Sequence, residues 1–286
     1  MLALSFGLGA AMLWAVHDLL ARKLSQGAAL LPILTVVLAA GTLGLVPVAL
    51  ALGGWDRMTG PALTVATTSG LAFALAIAGL YKAFSLAPVR VVSPVVGAYP
   101  LLILVIAVAQ GRPVSGGDWL AVLAIVIGIA IVALAARDDA PEGYAASPQV
   151  ALAWAALAAA GFAATFSLAQ EATRMGAELP VMLTGRVVAL GVIVGLLLWN
   201  RASLAPQKGQ FGVLGLMGLL DALALGLVTV SGSVPRAEYA SVASSLFGVL
   251  TVLLAAWFLR ERVRPVQWVG IACVFGGIAA LGLAGT

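Results

Sequence analysis

The stretch AAMLWAVHDLLARKL, residues 10–24, places an indole N–H, an imidazole and a carboxyl group on one segment: Trp14, His17 and Asp18. Side chains three and four residues apart share a helical face, so a helix here would present all three together. His17 is the only histidine in the protein. A neutral imidazole donates and accepts hydrogen bonds at once, and beside Trp14 it suits a pocket for an amphipathic solute; the alternative is a hydrogen bond between helices. Asp18 precedes Arg22 by four residues, the spacing of an intrahelical ion pair, and that structural reading leads for Asp18.

Further candidates lie deeper in the chain. Tyr99 precedes Pro100, whose missing N–H loosens the preceding turn and exposes a carbonyl beside an aromatic ring, as in a cavity wall. Tyr81 carries a similar hydroxyl near a helix end, where tyrosine is ordinarily an interface anchor. The run EYASVASSLFG (238–248) spaces Ser241, Ser244, Ser245 and Gly248 helically. Small residues let membrane helices approach closely, and Ser244 and Ser245 could also bind a solute. The GVIVG stretch (191–195) reads as packing. Arg186 and Asp221 are two charges inside apolar runs, expected either to pair with each other or to serve proton coupling or a substrate carboxylate.

Several chemistries are excluded by what is missing. No GxxxxGK[ST] loop supplies an ATP site, and a single histidine rules out the HExxH zinc motif. A Ser–His couple would need His17, yet no convincing nucleophile motif accompanies it. Cys273 stands alone in an apolar segment, without an internal disulfide partner or metal-ligand neighbours. No catalytic residue, metal or cofactor is expected. The net charge of +4 is scattered over short segments, which gives no basic face for nucleic acid.

These residues are positioned by a membrane-embedded scaffold. The chain of 286 residues is 63% hydrophobic and 9% charged, against roughly 25% charged in a soluble domain; it has too little polar surface to face water all round. Ten apolar stretches, about 2–21, 30–52, 61–86, 90–110, 117–136, 148–170, 179–200, 210–232, 238–260 and 264–284, predict membrane helices. About 20 residues cross the hydrocarbon layer, and backbone groups in lipid must be satisfied within the segment. The alternation of a barrel strand is absent. The N-terminal run lacks a charged n-region and a cleavage site and is expected to be a retained first helix.

The most polar link, ARDDAPEGYAASP (136–148), falls near the midpoint. LLPIL at 30–34 matches ELPVM at 178–182, and PVSGGDW ending at Trp119 matches VRPVQW ending at Trp268, at separations of 148 and 149 residues. This register predicts two homologous five-helix halves, 1–143 and 144–286, the second inverted because five is odd, around a central cavity. The offset places Phe162 opposite Trp14 and Thr165 opposite His17.

The segments YKAFSLAPVRVVSPVVGAYPLLILVIAVAQGRPVSGGDW (81–119) and AEYASVASSLFGVLTVLLAAWFLRERVRPVQWVGIACVFGGIAAL (237–281) resemble the paired signature of EamA-type transporters of the drug/metabolite transporter superfamily. The closest features are Ala240–Ser244, LRERV from Leu259, QWVG from Gln267 and the Gly276–Gly277 pair. The first copy departs from the second: AQGRPV has no counterpart of Glu261, and Pro100 stands where the second copy has Val249. The resemblance implies a multi-pass exporter of small metabolites, amino acids and related compounds among them, in a bacterial inner membrane, and it extends to the branch similar to aromatic amino acid exporters.

The expectation is therefore an all-α polytopic carrier that exports aromatic or other hydrophobic amino acids by alternating access. Trp14, His17, Tyr81, Tyr99, Phe162, Thr165, Ser244 and Ser245 are the expected binding residues, with Arg186 and Asp221 as a coupling or buried charge pair. Its partners would be a small-molecule substrate and the bilayer, and it could act as a monomer. A passive channel and, further off, an intramembrane enzyme are the alternatives. Basic residues concentrate after odd-numbered helices, which by the positive-inside rule puts both termini outside; family members generally have both inside.

Overall fold

The computed structural model describes residues 1–24, 30–86, 95–135, 148–203, 209–258 and 263–284. Among these the protein is all-helical. The helices are α1 (Leu2–Leu24), α2 (Leu30–Leu52), α3 (Gly60–Leu86), α4 (Tyr99–Ala109), α5 (Gly116–Leu134), α6 (Pro148–Met175), α7 (Glu178–Trp199), α8 (Phe211–Val230), α9 (Glu238–Ser244), α10 (Phe247–Phe258) and α11 (Pro265–Ala284). Five of them, α2, α3, α6, α7 and α8, are each long and apolar enough to cross a membrane. Large apolar side chains such as Leu43, Leu52, Leu120, Leu198 and Leu223 are exposed, as expected where lipid replaces water as the solvent.

Two of the expected spans are not continuous helices. The stretch 238–260 is divided into α9 and α10 by a turn at Ser245–Leu246, and α4 starts only after a turn at Gly97–Ala98; residues 90–94 of the expected fourth span lie outside the described residues. The causes are local. Pro100 sits in the first turn of α4, where its missing N–H does no harm but where it cannot extend a helix arriving from the N-terminal side. After α9 the amides of Ser245 and Leu246 bond to the carbonyls three residues back, at 3.1 and 3.2 Å. The hydroxyls of Ser244 and Ser245 donate to Ser241 O and Val242 O at 2.8 and 2.7 Å, so serine back-bonding competes with the helical ladder. The two turns are 148 residues apart (97 to 245, 98 to 246).

Helix pairing follows the same register. α3 packs on α6 and α7, as α8 packs on α1 and α2; α4 meets α6, as α9 and α10 meet α1; α5 lies along α11, and α2 along α7. Small residues make these approaches close, the device membrane helices use where no hydrophobic effect drives them together. A methyl group added at Gly70 would lie 2.5 Å from the Gly185 carbonyl oxygen, and one at Gly218 would run into the Val37 carbonyl; both members of the first contact lie 148 residues from those of the second. Between α5 and α11, a methyl group at Gly128 would lie 2.5 Å from Gly270 O, and one at Gly270 2.7 Å from Gly128 O. Gly7 in α1 is pressed against Ala240 and Ala243, so the small residues of the α9 serine run do serve packing.

The helix starts at α5 and α11 are also built alike. Ser115 N–H donates to Asp118 Oδ2 at 2.8 Å, and Asp118 N–H returns a bond to Ser115 Oγ at 3.1 Å, a reciprocal capping box. Arg264 N–H donates to Gln267 Oε1 at 2.8 Å, 149 residues further on. The glycines of the GVIVG stretch, by contrast, make no close approach: methyl groups at Gly191 or Gly195 would meet nothing within 4 Å among the described residues, while Ile193 between them is buried in the core.

Leucine at Gly128 is therefore expected to lower thermal stability in detergent by about 1–3 kcal/mol through overpacking, while leucine at Gly191 should change it by no more than about 0.5 kcal/mol. Thermal unfolding of the two purified variants measures both.

Candidate functional site

The deepest polar feature is an ion pair with a third member. Arg186 is the ninth residue of α7, which has 22 residues, roughly 12 Å along the helix at 1.5 Å per residue. Its Nη1 donates to Asp221 Oδ2 on α8 at 2.9 Å, and Trp14 Nε1 on α1 donates to Asp221 Oδ1 at 3.0 Å. Arg186 is 1% exposed and Asp221 9%. The expected Arg186–Asp221 pairing is thus present, and Trp14 joins it. Removing one member of a buried pair strands the other charge, at a cost of about 3–5 kcal/mol. Glycine makes the room: a methyl group at Gly41 on α2 would strike the guanidinium.

Trp14 also belongs to an aromatic cluster. Its ring lies 5.8 Å from Phe166 and 6.2 Å from Phe247, while Tyr99 lies 6.4 Å from Phe162 and 5.5 Å from Phe166. Phe162 and Phe166 stack at 6.1 Å. The Tyr99 hydroxyl is buried against the end of α9, 3.1 Å from Ser241 O and 2.9 Å from Ser244 Oγ. Since Ser244 donates to Ser241 O, Tyr99 can donate to Ser244, and every hydroxyl there is satisfied.

The expected binding residues accordingly divide. Trp14, Tyr99, Phe162 and Ser244 come together around the centre. Thr165 bonds back to Gly161 O at 2.7 Å, accepts Ser69 Oγ on its own carbonyl at 2.9 Å, and lines a cavity with Arg186. Ser245 spends its hydroxyl on Val242 O at 2.7 Å. His17 is half-buried and engaged with a neighbour. Tyr81 belongs to α3, but its side chain, like those of Asp18 and Arg22, lies outside the described residues. The cavity holds about 20 Å³ between α3, α6, α7 and α8, enough for one water and too little for an amino acid.

Two features escaped the sequence reading. Gln170 on α6 is buried, and its Nε2 lies 2.9–3.2 Å from Val228 O, Ser231 Oγ, Ala237 O and Ser241 Oγ. It holds the 3₁₀ turn Ser231–Ser233 and the start of α9, and Gly232 packs directly on its backbone. The second is a charged network closing one end of the bundle. Arg236 donates to Asp118 Oδ2 at 2.9 Å and to Glu238 Oε1 at 2.8 Å, and both Arg236 and Asp118 bond to the Tyr239 hydroxyl. Arg112 bonds Glu238 at 3.2 Å and lies 3.7 Å from Glu171, which also pairs with Arg174 at 3.2 Å.

This network joins α5 and the loop before it to α6 and α9. Arg236 has φ +57°, a left-handed conformation costly for a long side chain by about 1–3 kcal/mol, and its ion pairs offset that cost. Burial works against the Arg236 charge, but Asp118, Tyr239 and Glu238 outweigh it and hold its pKa above the ordinary guanidinium value. Arg112 is displaced the other way: burial and then the neighbouring Arg174 lower its pKa, against the pull of Glu238 and Glu171. The only sequence signal for the network was the Ser115–Asp118 spacing of a helix cap.

The sequence matches the model of the EamA-like transporter family over residues 1–134 and again over 149–283. The chain belongs to this family. It is a multi-pass membrane protein of a family that handles small solutes rather than one of enzymes. A solved structure titled "Crystal structure of protein" superposes with a TM-score of 0.82 at 18% identity, covering 99% of this chain and 96% of that one, a likeness of fold. No curated protein matches the sequence.

Leucine at Gln170 is expected to strip several buried acceptors of their donor and to destabilise the protein by about 2–3 kcal/mol. Proteolysis rates should rise selectively at residues 231–237; unchanged stability and protection would show that Gln170 is not the tie.

Proposed function

We propose that the protein is a secondary carrier of small amphipathic metabolites, with aromatic or hydrophobic amino acids as its leading substrates, working by alternating access in a bacterial inner membrane. The halves 1–143 and 144–286 act as two inverted repeats. The observation that carries this reading is the pair of helix breaks at Gly97–Ala98 and Ser245–Leu246, at one register in the two halves. Discontinuous helices at repeat interfaces are where carriers of inverted-repeat architecture build midplane sites. The matched glycine contacts at 70/185 and 218/37, the matched caps at 115–118 and 264–267, and the packing that maps onto itself when the halves exchange all support it.

The mechanism follows from what is open and what is tied. The aromatic cluster of Trp14, Tyr99, Phe162 and Phe166 would take the apolar body of the solute. The 20 Å³ cavity cannot admit it, so the halves must part first. At the end where α5, α6 and α9 meet, parting requires the Arg112–Glu238 and Arg236–Asp118 ties to separate. The carboxylates of these pairs are buried and their guanidiniums partly exposed, so the ties can part only as water enters to replace each lost partner, which couples opening of this end to its hydration. The two sides of such a gate are drawn from opposite halves of the chain.

Counterflow of labelled phenylalanine or tryptophan into preloaded proteoliposomes tests the reading: uptake should saturate and accelerate with substrate on the far side. Uptake linear in concentration without trans-stimulation would indicate a pore. In a Cys273→Ala background, Arg112→Cys with Glu238→Cys, joined by a short bifunctional thiol reagent, should reduce flux at least tenfold and recover on reduction; full flux with the link in place would contradict the gate.

A further inference from the structure

We propose that Arg186 is a carboxylate receptor at the mid-depth of the membrane. The Nε–Nη2 edge of its guanidinium would take the carboxylate of the transported solute, while Asp221, itself held by Trp14, fixes the opposite side of the group. This rests on the carrier reading above and adds the chemical class that the carrier selects.

The argument begins with unspent donors. A guanidinium has five N–H groups in one plane and accepts nothing. Asp221 takes one of them, through Nη1 at 2.9 Å. Nε and Nη2 are both buried and have no hydrogen-bond partner among the described residues. Buried polar groups are nearly always satisfied, and an exception asks for a reason. Here the exception is not a random pair of atoms. Nε and Nη2 lie on the same edge of the guanidinium, with their N–H bonds parallel, which is the fork that grips a carboxylate through two bonds at once. A purely structural arginine would be expected to spend that edge on protein carbonyls, as Arg174 does when its Nε donates to Gly232 O.

The surroundings suit the same ligand. Arg186 lines the cavity together with Phe73, Thr165 and Thr229. Two hydroxyl-bearing residues and a ring therefore share the cavity with Arg186, and the aromatic cluster around Trp14 and Phe166 is continuous with Asp221 through the Trp14 bond. Gly41 keeps a side chain off the guanidinium. In apolar surroundings a charged fork discriminates strongly, because a ligand lacking the carboxylate leaves the donors unpaired. The ion pair with Asp221 makes the protein site neutral overall. A zwitterion brings its own cation and preserves that neutrality, with the spare lone pairs of Asp221 available to its ammonium group.

Four probes of one shape separate the possibilities: phenylalanine, 3-phenylpropionate, phenylalaninamide and phenethylamine. Binding is read by thermal stabilisation of the purified protein in detergent, and transport by inhibition of counterflow in proteoliposomes. The two carboxylates should bind, and the amide and amine should bind at least tenfold more weakly. Arg186→Lys keeps the charge but loses the fork and should weaken the carboxylates about tenfold. Because Arg186→Gln alone would strand Asp221, the decisive variant is Arg186→Gln with Asp221→Asn, which leaves no lone charge in the interior. It should fold and lose its preference for carboxylates. Equal binding of the amide or amine by the wild type, no stabilisation by either carboxylate, or a carboxylate preference retained within twofold in the double variant would each overturn the receptor. Saturable, trans-stimulated flux of a carboxylate-free probe would do so while leaving the carrier reading intact.

Discussion

An ion pair buried midway along two membrane helices constrains everything around it. Arg186 and Asp221 sit in the middle of α7 and α8, and neither charge could remain there alone without a penalty of several kcal/mol. Their contact therefore fixes the rotation of α7 against α8, and the Trp14 bond to Asp221 brings α1 to the same point. The helix approaches nearby then have to be close. Gly41 clears the guanidinium, and Gly218 brings α8 against α2 at the Val37 carbonyl. Polar geometry at the centre and small residues at the helix contacts are two sides of one requirement.

The second constraint is the interruption of two spans. A broken helix frees backbone groups that lipid cannot satisfy, and here they are taken up by protein. The serine hydroxyls of α9 return to their own carbonyls, Tyr99 closes on Ser244, and Gln170 gathers the acceptors at the start of α9. The breaks are thus stable features that place aromatic rings and hydroxyls between the halves. The charged network at one end is of another kind: ion pairs between segments distant in sequence, in which partly exposed guanidiniums meet buried carboxylates. In the proposed carrier cycle the centre keeps these contacts while that end separates.

Much of the scaffold was legible because apolar runs in lipid have few structural solutions. Most helix bounds fall within a few residues of those read from the sequence, and the 148-residue register was visible in LLPIL and ELPVM before any coordinates. Arg186 and Asp221 were legible as a pair because two deep charges on consecutive helices have few other partners. The helix breaks were not, since Ala, Ser and Gly continue an apolar run whether or not the ladder holds, and only Pro100 hinted at one. Trp14 bonding to Asp221 spans 207 residues, beyond any periodicity. The Asp118–Arg236 tie was equally hidden, because its members look like ordinary helix-end charges. Thr165 and Ser245 illustrate the converse: their hydroxyls looked available, but a helix supplies its own acceptor one turn back.

The central claim is that the end tied by Arg112, Asp118, Arg236 and Glu238 separates during the transport cycle. Spin labels at Gln110→Cys and Ser233→Cys, in a Cys273→Ala background, report the distance across it by pulsed electron resonance in liposomes. The account predicts a two-component distribution whose populations shift when phenylalanine is added, with the shorter component alone remaining once Arg112 and Glu238 are held together. A single, unchanging distance in every condition, in protein that still transports, would contradict it.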